Sequence, residues 1–274
     1  MKTTANVTHR LTVPDIQACK GTHKIVALTA HNRAIAEILD EFVDIALMGD
    51  STAMVAYGHP NTLGFTLEQT IQHSKAVTNA THRACVVADL PFGSYHESPA
   101  QAFRNAGRLM SESNVSAVKL EGNAAIAATT QFLVERGIPV MAHIGLMPQF
   151  VNAMGGFRAQ GMDEQSADSI RHAAAAMEEA GAFCIVLEGV AEPLARELTA
   201  SLSVPTIGIG ASPACDGQVL VIEDILGLGG DIVPRFAKRY TDVHAAIRDA
   251  VAQYTSEVRD GTFPELSHCF CVKN

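Results

Sequence analysis

The chain has 274 residues, 47% of them hydrophobic, and a formal net charge of −9 with its acidic residues scattered rather than blocked. That length can bury a large core in one or two domains, and α/β barrels use it as one. The charge balance weighs against a nucleic-acid surface and fits small-molecule chemistry, and the apolar runs are too short and too interrupted for a transmembrane helix.

The opening stretch MKTTANVTHRLTVPDIQACKG lacks the apolar core of a signal peptide. The six cysteines (Cys19, Cys85, Cys184, Cys215, Cys269 and Cys271) show no CxxC pair and no disulfide spacing, which fits a reducing, cytoplasmic compartment. Cys85 and Cys184 fall inside apolar runs, where a thiol behaves as a small hydrophobe.

In chain order, KIVALTA (24–30) reads as a strand, followed by a helical face of Ile35, Ile38, Leu39 and Phe42. DIALMG (44–49) comes next, then a capping box at Thr66–Gln69, ACVVADL (84–90), and a second box at Ser98–Gln101 with Pro99 in the first helical position. SAVKLEG (116–122) and IPVMAHIG (138–145) lead to a polar, glycine-rich stretch from Pro148 to Asp163, a candidate active-site lid. The Ala173–Ala176 run suggests tight helix packing ahead of FCIVLEG (183–189), VPTIGIG (204–210) and DIVPRF (231–236). A last helix carries Val243, Ile247, Val251, Tyr254 and Val258 on one face and stops at Gly261. Near-continuous apolar runs are the mark of parallel strands covered on both faces. Eight of them with helices between predict a single-domain (β/α)8 TIM barrel over 1–274, with an N-terminal helix and a C-terminal tail; a doubly wound open sheet is the alternative.

In such a barrel the active site lies at the C-terminal ends of the strands. Five consecutive runs after the first end in polar or charged groups: Asp50 and Ser51, Asp89, Lys119 and Glu121, His143, and Glu188. Asp50, Asp89 and Glu121 offer hard carboxylate oxygens, which favour Mg²⁺ over Zn²⁺. Lys119 points to the same side of its strand as Glu121. It suits an anionic substrate carboxylate or, alternatively, a salt bridge to Glu121 or Asp89. His143 is either catalytic or a hydrogen-bonded structural histidine. Glu188 ends the apolar CIVLE and suits a general base, or else a helix-capping or metal-supporting role. Carboxylates that only cap the following helices are the plainer reading of the whole set. IGIGAS (207–212) looks like a phosphate cradle, but Ala211 and Pro213 break the GxGxxG spacing and close packing also selects glycine. His268, Cys269 and Cys271 form a metal candidate without a CxxC partner.

GDS (49–51), ADLPF (88–92), VKLEG (118–122), HIGLMPQ (143–149), GGFRAQG (155–161), VLEGV (186–190), IGIGA (207–211) and FPELSHCF (263–270) together resemble the 3-methyl-2-oxobutanoate hydroxymethyltransferase (ketopantoate hydroxymethyltransferase) family. The resemblance runs in the family's order from about Val13 to Phe270. It implies a TIM-barrel enzyme of pantothenate biosynthesis that transfers a hydroxymethyl group from 5,10-methylenetetrahydrofolate to 3-methyl-2-oxobutanoate, giving 2-dehydropantoate through a Mg²⁺-stabilised enolate. It further implies Asp50 and Asp89 as Mg²⁺ ligands with Glu121 as a third metal-associated carboxylate. The oxo acid would be held by Asp50, Ser51, Asp89 and Lys119, with Glu188 as proton acceptor and His143 in support. A cytoplasmic homo-oligomer, typically a decamer, is also implied.

The chain departs from the family where TAHN stands for the usual TAYD, placing His31 and Asn32 after the first strand, and at Phe157 and Arg158 in place of Tyr-Lys. Two rival readings remain. One is an enzyme of the related phosphoenolpyruvate-mutase/isocitrate-lyase type, whose KKCGH-like loop has no counterpart here. The other is a divergent paralogue that binds an oxo acid without turning it over.

Overall fold

The apolar runs become strands because nearly all of their residues find cover, Val26 of the first run being the exposed exception. In the computed structural model, which describes residues 9–229 and 234–270, they form β1 (Ile25–Thr29), β2 (Ile45–Met48), β3 (Cys85–Asp89), β4 (Ala117–Glu121), β5 (Val140–Gly145), β6 (Cys184–Glu188), β7 (Thr206–Ile209) and β8 (Gly217–Leu220). The strands are parallel and close into a barrel in sequence order, β8 pairing back onto β1. That closing pair excludes the open doubly wound sheet. Inward residues such as Ile45, Val87, Met141, Cys184 and Ile207 fill the interior. They are joined by Ile16 from α1 (Val13–Gln17), whose start is a reciprocal Thr12–Asp15 capping box.

Around the strands run α2 (Arg33–Leu39), α3 (Thr52–Val55), α4 (Leu67–Thr78), α5 (Pro99–Ser113), α6 (Ala127–Val134), α7 (Val151–Met154), α8 (Glu164–Glu179) and α9 (Glu192–Ser201). Outward residues Ala142, Ile144, Ile185 and Leu187 pack with Ala173, Ala174 and Met177 of α8 and Leu194 and Leu198 of α9. The alanine run is therefore a packing feature, small enough to bring the helix close to the sheet. Thr66 and Gln69 make the full capping box expected of α4. Ser98 accepts from the Gln101 amide, but the Gln101 side chain reaches back to the Glu97 N–H instead, so only half of the second box is present.

Two expectations need correction. On α2 only Ala36 and Leu39 are buried, whereas Ile38 and Phe42 are 61% and 68% exposed. And DIVPRF does not supply the eighth strand: 231–233 lie outside the described residues, and Pro234 to Phe236 form a loop and turn. The barrel closes through Gly217–Leu220 instead. A seven-residue link, 210–216, joins β7 directly to β8 without a helix, so the strand–helix rhythm that pointed further along the chain is broken there.

The barrel belongs to one compact unit, Met1–Ile222, and Glu223–Asn274 form a second. A short α10 (Ile222–Leu226) stands at the division. Within the second unit α11 (Val243–Asp260) is capped by Asp242, ends at a left-handed Gly261 as expected, and has no buried residue. No helix among the described residues is long and apolar enough to cross a membrane.

Candidate active site

Side chains alternate along a strand, so the mouth of a parallel barrel is lined by the last inward residue of each strand. The register sets Asp89 beside Lys119, Glu121 beside His143, and Gly145 beside Glu188. Asp50 and Ser51 sit in the turn from β2 into α3. The residues singled out from five separate stretches thus meet at one end of the barrel.

Both oxygens of Asp89 are engaged: Oδ1 accepts from Lys119 Nζ at 2.7 Å and Oδ2 from the Asp50 N–H at 3.0 Å. Asp50 Oδ2 accepts from Gln149 Nε2, and Glu121 Oε2 from the Gln149 backbone N–H, each at 2.9 Å. His143 Nε2 lies 2.9 Å from the Leu146 carbonyl and 3.2 Å from Glu188 Oε2. A carbonyl only accepts, so Nε2 carries the proton. Nδ1 then faces Glu121 Oε1 at 3.6 Å and has no hydrogen-bond partner. None of these carboxylates caps the helix that follows its own strand, where the caps of α3, α5, α6 and α9 are Ser51, Ser98, Ile126 and Ala191, although Glu121 takes the Gln149 N–H of the 3₁₀ turn at Pro148–Phe150. The plainer reading of the strand-end carboxylates is thereby excluded. Of the two readings of Lys119, the salt bridge is present, to Asp89 rather than Glu121.

The electrostatics are one-sided. Asp50, Asp89 and Glu121 are buried with Lys119 as the cation in their midst. Burial, reinforced by the Asp89 charge, pushes the Asp50 carboxyl up to about 7. Burial and the Asp50 charge push Glu121 well above the usual carboxylate range. For Lys119 burial would lower the pKa, but Asp89, Glu121 and Asp50 together hold it above its ordinary value. A cluster with more buried carboxylates than cations is short of positive charge. Its hard oxygens suit Mg²⁺. No group of three or more His, Cys, Asp or Glu among the described residues is arranged to hold a metal. Mg²⁺ in general needs only one or two protein carboxylates, with water and substrate completing its shell. Ser51 Oγ, shielded from solvent and without a hydrogen-bond partner, is a donor held ready for a ligand.

Two residues of the site escape sequence reading. Gln149 and Tyr95 are both buried, and the Tyr95 hydroxyl stands 2.7 Å from Gln149 Oε1. The first ends the HIGLMPQ motif and stands at the start of the candidate lid, the second lies in the loop after β3, and the sequence singles out neither as a site residue. The insertion itself starts with a 3₁₀ turn at Pro148–Phe150 and α7, and then turns through Gly155 (φ 69°) and Gly156 (φ 115°). It is tied down again where Gln160 pairs with Val190. Phe157 and Arg158 are exposed. Beside the mouth a cavity of about 410 Å³ is lined by Gly122, Asn123, Gly145, Met147, Gln160 and Asp163, among others.

The other candidates do not join the site. His31 is buried, its Nδ1 2.6 Å from Thr52 Oγ1, and Asn32 caps α2 by accepting from the Ile35 N–H at 3.0 Å. In the IGIGAS stretch no helix follows β7 to offer an anion site. A Cβ on Gly208 would come within 3.1 Å of both Cys215 and Gln218, so this glycine answers to packing. His268 donates nothing to a metal group among the described residues, and Cys271 lies outside them.

Comparison with known proteins bears on this site. The 3-methyl-2-oxobutanoate hydroxymethyltransferase 1 of Pseudomonas aeruginosa (strain UCBPP-PA14) is 57% identical over 97% of both chains. The enzyme named 3-methyl-2-oxobutanoate hydroxymethyltransferase from Paramagnetospirillum magneticum is 55% identical over 96% of both. Among solved structures, a phosphonopyruvate hydrolase superposes with a TM-score of 0.60 at 13% identity, covering 96% of this chain and 92% of its own. A 2,3-dimethylmalate lyase of the PEP mutase/isocitrate lyase superfamily gives 0.59 at 19%, covering 95% and 89%. At those identities the likeness is one of fold, and it accounts for the rival reading. The family described as ketopantoate hydroxymethyltransferase matches residues 10–266, and with relatives more than half identical along nearly its whole length, the chain belongs to the ketopantoate hydroxymethyltransferase family.

Proposed function

We propose that the protein transfers a hydroxymethyl group from 5,10-methylenetetrahydrofolate to 3-methyl-2-oxobutanoate, giving 2-dehydropantoate, with Mg²⁺ at the mouth of the barrel. The observation that carries this reading is the cluster itself: Asp50, Asp89 and Glu121 buried around Lys119, with Glu188 and His143 on the adjoining strands. Asp50 and Asp89 would hold the metal with Glu121 beside them. Bound there, Mg²⁺ supplies Lewis acidity that offsets negative charge developing on the keto oxygen.

The remaining work falls to the chain. Lys119, held protonated by its acidic neighbours, neutralises the substrate carboxylate, and the unpartnered Ser51 hydroxyl donates to it. Glu188 removes the proton from C3, C3 bonds to the methylene carbon, and both bonds from that carbon to the folate nitrogens break; water supplies the hydroxyl oxygen and one nitrogen proton, and the proton taken by Glu188 supplies the other. His143, 3.2 Å from Glu188 Oε2, holds that carboxylate toward the mouth. The cavity of about 410 Å³ next to the site offers room for part of the folate, and the segment between Gln149 and Gln160 is placed to exclude water from it. Against the binding-only rival, the two departures carry structural contacts of their own: His31 Nδ1 meets Thr52 Oγ1, and Asn32 caps the start of α2. A cytoplasmic setting is supported by buried thiols at Cys19, Cys85, Cys184 and Cys215 that form no disulfide.

The test is proton NMR of 3-methyl-2-oxobutanoate in D₂O with enzyme and Mg²⁺ but no folate. Loss of the C3–H signal that EDTA abolishes is expected, and Glu188→Gln should bind the oxo acid yet leave that signal intact. Exchange at the wild-type rate in the variant would move the base elsewhere, and no metal-dependent exchange in the wild type would refute the mechanism.

A further inference from the structure

Gln149 stands where the segment after β5 begins, and it touches three other strand ends at once. Its Nε2 donates to Asp50 Oδ2 and to the Leu90 carbonyl, both at 2.9 Å, and its backbone N–H donates to Glu121 Oε2. The orientation of the side-chain amide is fixed by these partners: reversed, it would set its own oxygen against two acceptors. Oε1 instead faces the Tyr95 hydroxyl at 2.7 Å. That hydroxyl has one proton to give. The Glu121 N–H donates to its oxygen at 3.1 Å, and Gln149 Oε1 is a closer acceptor than the Glu121 carbonyl at 3.0 Å. Tyr95 is fully buried and Gln149 is 2% exposed, so water does not compete for any of these bonds.

We propose that Tyr95 and Gln149 are positioning residues for the cation and oxo-acid site, a one-way hydrogen-bond chain from the Glu121 N–H through Tyr95 and Gln149 to Asp50 that holds the Asp50 and Glu121 carboxyl groups to donors on one residue. Two buried carboxyl groups need fixed neutral donors to hold their orientation before a cation arrives. Gln149 gives one donor to each, from its side chain to Asp50 and from its backbone to Glu121. Tyr95 is what makes the side-chain donor point the right way. The chain also anchors the first turn of the candidate lid to the carboxylates, coupling the order of that turn to the state of the site.

This inference rests on the Mg²⁺-dependent reading above, and its test separates the two. Mn²⁺ affinity is measured by calorimetry in the presence of 3-methyl-2-oxobutanoate for the wild type, Tyr95→Phe, Gln149→Met and the double variant. Thr130→Val, which removes another buried hydroxyl bond far along the chain at Met177, is the control. Each single variant is expected to bind Mn²⁺ about tenfold more weakly, the loss typical of residues that orient metal ligands. The double variant should bind no more weakly than Gln149→Met alone, because the links act in series, and Thr130→Val should bind as the wild type does. Tyr95→Phe keeps the ring and its packing, so it decides the matter even where Gln149→Met fails to fold. Wild-type affinity in a folded Tyr95→Phe, or additive losses in the double variant, would overturn the positioning chain while leaving the metal reading intact. A wild type that binds no Mn²⁺ would overturn both.

Discussion

Asp50, with its carboxyl pushed up to about 7 by burial and the Asp89 charge, is half protonated near neutrality in the metal-free protein. Unfolded, the same group titrates at an ordinary value of 3.8. The folded chain therefore holds this proton more tightly than the unfolded one. The stability that results is complete below that ordinary value and is lost as the pH rises through the folded one. A divalent cation needs the carboxylate, so its binding releases the proton. The rise in Tm produced by saturating Mg²⁺ and oxo acid should accordingly be larger at pH 8 than at pH 6, with Asp50→Asn removing the difference. Equal gains at both pH values would show that Asp50 is not a metal group. At this scale the sequence was informative where a charge interrupts an apolar run, as at Asp50, Lys119 and Glu188. It assigned no role to Gln149, though that residue ends HIGLMPQ, or to Tyr95, because nothing in a polar insertion or a loop shows which side chain the fold will bury.

Among the elements, the start of α2 shows how a departure from family pattern can be absorbed. Asn32 accepts from the Ile35 N–H at 3.0 Å, a bond that asparagine and aspartate make about equally well. Asn32→Asp should change stability by less than about 0.5 kcal/mol, and Asn32→Ala should cost about 1 kcal/mol; urea unfolding monitored by circular dichroism measures both. A neutral Asn32→Ala would mean that the cap contributes nothing. Strands β2 to β7 were legible because their residues are almost all buried and their sequences are apolar up to the polar groups near their ends, and β1 because its run is apolar although Val26 stays exposed. β8 was not. Its four residues, GQVL, include an exposed glutamine, and the missing helix before it removes the spacing cue that located the others. The second capping box failed for a local reason: Gln101 satisfies the Glu97 amide, one residue outside the cap.

For the whole molecule the question is what covers the apolar surface that the fold leaves out. Val26 of β1 is 45% exposed, and Ile38 and Phe42 at α2 are exposed further. Within the second unit Ile247, Val251, Tyr254 and Val258 of α11 form a stripe with no buried residue. A sequence that spaces apolar residues on one helical face commits that face to burial, and an apolar face that its own unit leaves open, as at Ile38 and Phe42, marks an association site. Homo-oligomers close this kind of surface by repeating one contact around a symmetry axis. Sedimentation velocity is expected to show a large homo-oligomer. A decamer of this 29.1 kDa chain would sediment near ten times that mass. Ile38→Asp combined with Phe42→Asp should shift the protein to smaller species, because each buried aspartate would lose its hydration without a partner. The barrel's own core does not include either residue, so the far-ultraviolet circular dichroism of the variant should match the wild type. A wild type that sediments at 29.1 kDa would leave these faces open in solution and remove the oligomer from the account.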